Sequence, residues 1–174
     1  FKILVEKSDV LVESFRPGVM KKLGLSYEKL CKLNPGIIYC SISGYGQSGP
    51  YSGLSGHDVN YLALSGVIGL SKKKDGIPIE PSVPIADFES SQRAALAIVS
   101  ALFQREKSKK GQFIDIAMFE GSTFWLAQPL AEYFATDTLP DPSRYIGPKD
   151  NNWVGSKPGY GIYKTSDGFI SIGA

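Results

Sequence analysis

The sequence predicts an α/β domain built on a largely parallel sheet. Three observations carry that expectation. Short apolar segments, rich in β-branched residues, occur at residues 9–15, 37–43 and 113–118, with helically spaced segments between them. Strands that alternate with helices pair in parallel and are covered on both faces. The clearest of these strands, 37–43, runs into a glycine-rich loop, the form of a ligand-facing strand end. With 174 residues, 43% of them hydrophobic and 21% charged, the chain has room for about one ordered domain of ordinary composition.

Residues 1–7 read as the end of a helix, and 9–15 as a mostly apolar strand broken by Arg16-Pro17-Gly18. Val19, Met20 and Leu23 have helical spacing that stops at Gly24, a helix C-cap. Ser26 caps a second short helix in which Leu30 and Leu33 share a face, closed by Asn34-Pro35-Gly36. After strand 37–43 and the loop 44–50 come Gly56-His57-Asp58 and a helix over 59–69, despite Gly66. Residues 70–86, with Lys72-Lys73-Lys74 and three prolines, read as a loop. From Asp87 a long helix is expected, with Phe88, Ala95, Leu96, Ile98, Val99, Leu102 and Phe103 as its apolar stripe. A basic last turn and Gly111 end it, in keeping with the helix dipole. Residues 121–136 read as helix apart from Pro129, and the proline-rich stretch 138–159 as a linker. Residues 160–165 and 169–172 then flank Ser166-Asp167-Gly168 as a hairpin. The expected organisation is a large domain over 1–137, the linker 138–159, and the first hairpin of a smaller α+β domain over 160–174.

Several function classes fall away. A net charge of +2 is too balanced for a protein held on nucleic acid by bulk charge. No apolar run approaches the roughly 18–20 residues of a membrane span, and the first residues lack a signal-peptide layout. Cys31 and Cys40, without a secretory signal, read as reduced thiols of a cytoplasmic protein, or of a mitochondrial or peroxisomal one in a eukaryote. A single histidine and no Cys-x-x-Cys spacing leave no metal site to expect. The chain opens in mid-pattern without Met, as a fragment would.

Four features are candidates for chemistry. The loop 44–49 is either a plain turn or a ligand-facing loop; its spacing fits neither the dinucleotide fingerprint nor the P-loop. His57 follows a glycine at a helix start beside Asp58, where the dipole favours the neutral imidazole that a general base requires; otherwise it is a surface residue. Asp87 is either an N-cap or a carboxylate at the mouth of the sheet, able to move a proton or attack an acyl carbon. Arg16 and Lys22 are either scattered surface charge or a phosphate clamp.

The blocks 9–19, 23–25, 33–35 and 38–50, with Gly-His-Asp-Val-Asn-Tyr at 56–61, Ala-Asp-Phe at 86–88, Gly-Gln-Phe-Ile-Asp at 111–115 and the terminal hairpin, resemble the class III CoA-transferase family. The resemblance covers almost the whole chain in order, and the block 56–61 is most similar to the alpha-methylacyl-CoA racemase branch. It implies a Rossmann-like large domain, here without its N-terminal portion, a smaller second domain, and two interlocked chains. It implies an acyl-CoA substrate with no further cofactor, and His57 and Asp87 as catalytic residues. It places Arg16 and Lys22 against the CoA phosphates, and Gly56, His57, Asp58, Val59, Asn60 and Tyr61 around CoA and the thioester. Two chemistries are open within the family: racemisation of a 2-methylacyl-CoA by two bases, or CoA transfer with Asp87 as nucleophile. A non-catalytic CoA-binding fragment is the third reading. Glu89-Ser90-Ser91 depart from the glycines expected after the aspartate, a change that either crowds the pocket or alters the acyl preference. Racemases would supply a glutamate partner for the histidine just beyond Ala174.

Overall fold

The computed structural model describes residues 1–71, 76–139 and 160–173. They form two compact units, residues 1–61 with 84–122, and residues 62–83 with 123–174. In chain order the elements are α1 (Lys2–Glu6), β1 (Val10–Glu13), α2 (Val19–Lys22), α3 (Tyr27–Leu33), β2 (Ile38–Ser43), α4 (Asp58–Ser65) and α5 (Val67–Leu70). There follow α6 (Ile85–Ser108), β3 (Gln112–Ala117), α7 (Met118–Ser122), a 3-10 turn (Thr123–Leu126), α8 (Ala127–Thr136), β4 (Tyr160–Lys164) and β5 (Phe169–Gly173). No described helix is long and apolar enough to cross a membrane.

The first unit is the expected α/β layer structure. Its sheet runs β1-β2-β3, all parallel, with Val10 opposite Ile38 and Cys40 opposite Ile114. β2 is central, and five of its six residues are buried, as a strand covered on both faces requires. Alternation splits the core in two. Leu11, Ile37 and Tyr39 pack with Val5, Met20 and Leu30 under α1–α3. Cys40 and Ile116 pack with Ala94, Ala97 and Ile98 under α6.

The turns follow local chemistry. Gly24, at φ 73°, takes the left-handed position after α2, and Leu25 N–H donates to Met20 C=O at 2.8 Å, a Schellman closure. Ser26 stands at the N-cap position of α3, but its hydroxyl makes no capping bond.

Four helix expectations need correction. The helix expected over 59–69 is two helices, because Gly66 adopts φ 95° and ends α4. The long helix begins at Ile85, with Pro84 at its N-cap, so Asp87 lies inside the first turn and caps nothing. Lys109, not Gly111, takes the left-handed C-cap, at φ 54°. Gly111 is needed for another reason: a Cβ there would overlap the Ile37 carbonyl.

The fourth correction concerns the stripe of α6. Its buried positions are Ala86, Ser90, Ala94 and Ala101, while Phe88, Leu96, Val99 and Phe103 are 59–71% exposed. Small side chains let a helix lie close on a sheet. Arg105 fastens its far end, donating to Gly36 C=O at 2.8 Å and pairing with Asp9 at 2.7 Å.

In the second unit, Pro129 sits in the first turn of α8, where its missing N–H would have had no helical partner. The hairpin β4–β5 is antiparallel with Lys164 opposite Phe169, and Thr165 N–H donates to Gly168 C=O at 2.9 Å. The linker expected over 138–159 lies outside the described residues beyond 139, as do Lys72, Lys73, Lys74 and Ala174.

Candidate active site

A cavity of about 360 Å³ opens at the carboxyl ends of the three parallel strands. That is where ligands bind in open α/β sheets. The segment after β1 supplies Arg16, the end of β2 supplies Ser43 through Tyr45, and Met118 follows β3. His57 and Asp87 also line it, from two different helix starts, and both are exposed.

Tyr61 forms one buried wall. Its hydroxyl donates to Gly56 C=O at 2.5 Å, and burial, before the charge of Asp87, pushes its ionisation upward. It therefore acts as a neutral donor rather than a base. The ring lies against the backbone: a Cβ at Gly44 would stand 2.5 Å from the Tyr61 Oη, and one at Gly56 would stand 2.8 Å from its Cε1. Both glycines are thus close-approach residues. Tyr45 meets Tyr61 edge-on with centroids 5.2 Å apart, and Phe119 and Tyr51 extend the cluster.

Backbone bonds fix the two helix starts. Asn60 reaches back so that its Oδ1 accepts the His57 N–H at 2.9 Å, half of a capping box. Asp58 turns towards α6, where its two carboxylate oxygens accept the Ala86 N–H at 2.9 and 3.2 Å. The glycine loop is held by Asp115 of β3, whose carboxylate accepts the Gln47 N–H at 2.9 Å.

The sequence-derived residues divide accordingly. Arg16, Gly56, His57, Tyr61 and Asp87 line the cavity. Lys22, Asp58, Val59 and Asn60 do not; Asp58 and Asn60 hold backbone instead. The neighbour of Lys22, Lys21, lines a second cavity of about 320 Å³ that also includes Arg16.

Glu89, Ser90 and Ser91 line neither cavity. Ser90 and Ser91 hydroxyls donate to carbonyls of their own helix, and Glu89 turns away to pair with Arg93 at 3.2 Å. The expected crowding is absent among the described residues.

Sequence reasoning missed Ser43 and Met118. Ser43 is a lining residue that is only 7% exposed, and its buried hydroxyl has no hydrogen-bond partner among the described residues. The available signal was its position as the last residue of a strand before a glycine loop. Among the described residues, no three His, Cys, Asp or Glu side chains cluster as metal ligands.

Comparison with known proteins gives the family of the chain. The sequence is 41% identical to the human (Homo sapiens) alpha-methylacyl-CoA racemase over 98% of this chain and 44% of the racemase. It is 37% identical to a mouse (Mus musculus) succinyl-CoA:glutarate CoA-transferase over 99% of this chain and 38% of that protein. The crystal structure of a CAIB/BAIF family protein from Brucella suis superposes with a TM-score of 0.84 at 33% identity, covering 97% of this chain and 43% of that one. The chain therefore spans less than half the length of the relatives it matches. The profile of CoA-transferase family III matches residues 1–174, and the chain belongs to that family.

Proposed function

We propose that the full-length protein inverts the α-carbon of 2-methylacyl-CoA thioesters, with His57 and Asp87 as the two bases. The observation that carries this reading is that both side chains line one cavity from separate helix starts, beside a phosphate-competent arginine. A thioester acidifies its α-proton. One base removes that proton from one face to give an enolate, and the conjugate acid of the other base delivers a proton to the opposite face. After inversion one base holds the proton taken from the α-carbon and the other has given its own proton to the product, and a turnover in the opposite sense restores both. Arg16 holds a CoA phosphate, and CoA enters as part of the substrate rather than as a bound cofactor. The interlocked homodimer and the smaller domain beginning at the hairpin belong to the same proposal for the full-length protein.

CoA transfer is the second reading, favoured by the 37% identity to a CoA-transferase. There the Asp87 carboxylate attacks the acyl carbon, forming a mixed anhydride and releasing CoA as thiolate, and His57 is only part of the wall.

The deciding experiment incubates the full-length protein with a 2-methylacyl-CoA in D2O and follows α-deuterium by NMR. Uptake lost in both His57→Ala and Asp87→Ala supports two-base inversion. No uptake, with Asp87 trapped by hydroxylamine as an acyl adduct when a second carboxylic acid is present, favours transfer.

A further inference from the structure

His57 immediately precedes α4, and Asp87 lies in the first turn of α6. The spacing between them therefore depends on how these two helix starts are held together. α6 has no cap of its own: its N-cap residue is Pro84, and no side chain there bonds a first-turn amide. The missing acceptor comes from α4. Asp58, one residue after His57, accepts the N–H of Ala86, one residue before Asp87, through both carboxylate oxygens at 2.9 and 3.2 Å. Ala86 is fully buried and Asp58 is half-buried, so the bond is partly shielded from water.

We propose that Asp58 is a positioning residue: it caps α6 from the neighbouring helix and so sets the separation of the two bases across the cavity. This role rests on the two-base reading above. A carboxylate on a helix N-terminus is a charge-assisted acceptor and also complements the dipole. The contact joins the residue after His57 to the residue before Asp87, so it sits one residue from each base. Each end is stiffened on its own side. Asn60 holds the His57 amide, and the Ser90 hydroxyl donates to Ala86 C=O at 2.7 Å and lies 3.0 Å from Asp87 C=O. Displacement of a reacting group by about 1 Å costs on the order of 100-fold in rate, so a lost tether should appear in turnover before it appears in binding.

The test uses the full-length protein with Asp58→Ala, which removes the acceptor, and Asp58→Asn, which keeps an oxygen for Ala86 but drops the charge. Two readouts are taken: amide hydrogen exchange at residues 86–87, and α-deuterium uptake by a 2-methylacyl-CoA. Asp58→Ala should speed amide exchange by ~10-fold or more and lower kcat by ~100-fold with KM within ~3-fold. Asp58→Asn should return kcat to within ~5-fold of the parent. If Asp58→Ala does not fold, Asp58→Ser, whose hydroxyl is a shorter cap, should show the same pattern to a smaller degree. Unchanged amide exchange at 86–87 would remove the tether. Faster exchange with unchanged kcat would make the cap structural only. An Asp58→Asn variant as inactive as Asp58→Ala would assign the carboxylate to the chemistry itself, against positioning. Failure of the parent to take up deuterium would remove the two-base reading and this role with it, while amide exchange still reports separately on the tether.

Discussion

Tyr61 is the residue around which the cavity is organised, and its demands reach two glycines in separate loops. Gly44→Ala would place a methyl 2.5 Å from the Tyr61 hydroxyl, so the ring must swing and release Gly56. We expect a loss of about 1–3 kcal/mol in denaturant unfolding, together with a raised KM for acyl-CoA in the full-length protein. Cys40 makes a different prediction. Burial, assisted by Glu13 and Asp115, raises its thiol from 9.0 to about 11. Below pH 9 the folded and unfolded chains both keep this proton. Between pH 9 and about 11 only the folded chain keeps it, so stability falls as pH rises. Cys40→Ala should flatten the fall of the urea midpoint across that window; an unchanged slope would deny the burial effect. The Ser43 hydroxyl oxygen is buried and without a hydrogen-bond partner among the described residues. Ser43→Ala, which removes an unsatisfied buried polar atom, should leave the urea midpoint unchanged or raise it, and a fall in stability of more than about 1 kcal/mol would mean that the hydroxyl has a partner.

At the scale of elements, α6 shows how a hydrophobic pattern can mislead. Its sheet-facing side is made mainly of small residues, Ala86, Ser90, Ala94, Ala97 and Ala101, together with Ile98, while Phe88, Leu96, Val99 and Phe103 turn outward. Leu96→Gln should therefore change stability by less than about 0.5 kcal/mol. Ala94→Leu, forced against Cys40 and Ile116, should cost about 1–3 kcal/mol. Urea unfolding of the two variants side by side checks the orientation of the helix; the reverse order of costs would overturn it. The strands were legible because β-branched runs bounded by glycine and proline leave few alternatives, as in 37–43. The α6 boundary was not. Its cap comes from Asp58, 28 residues away, and local spacing carries no trace of such a bond. The candidate site was half legible for the same reason. His57, Asp87 and Arg16 stand next to local markers, a glycine or a strand end, whereas the part taken by Asp58 exists only once two distant segments meet.

For the molecule as a whole, the division into two compact units invites a test of cooperativity. Trp125 belongs to the second unit, and Cys40 is buried in the first. In a Trp153→Phe background, the fluorescence of Trp125 and the alkylation of Cys40 therefore follow different units of one chain. If the units unfold separately, the two probes will give different urea midpoints; coincident curves would mean a single cooperative transition. Packing at this level also constrains inheritance. A Cβ at Gly121 would run into the Glu89 carboxylate and the Arg93 guanidinium, which in turn donates to Ala117 C=O at 2.6 Å beside the cavity wall. The overlap falls on the ends of two flexible side chains, so a residue with a Cβ at 121 would displace the Glu89–Arg93 pair rather than the backbone. What such a lineage stands to lose is that ion pair and the arginine's hold on the Ala117 carbonyl, not the fold.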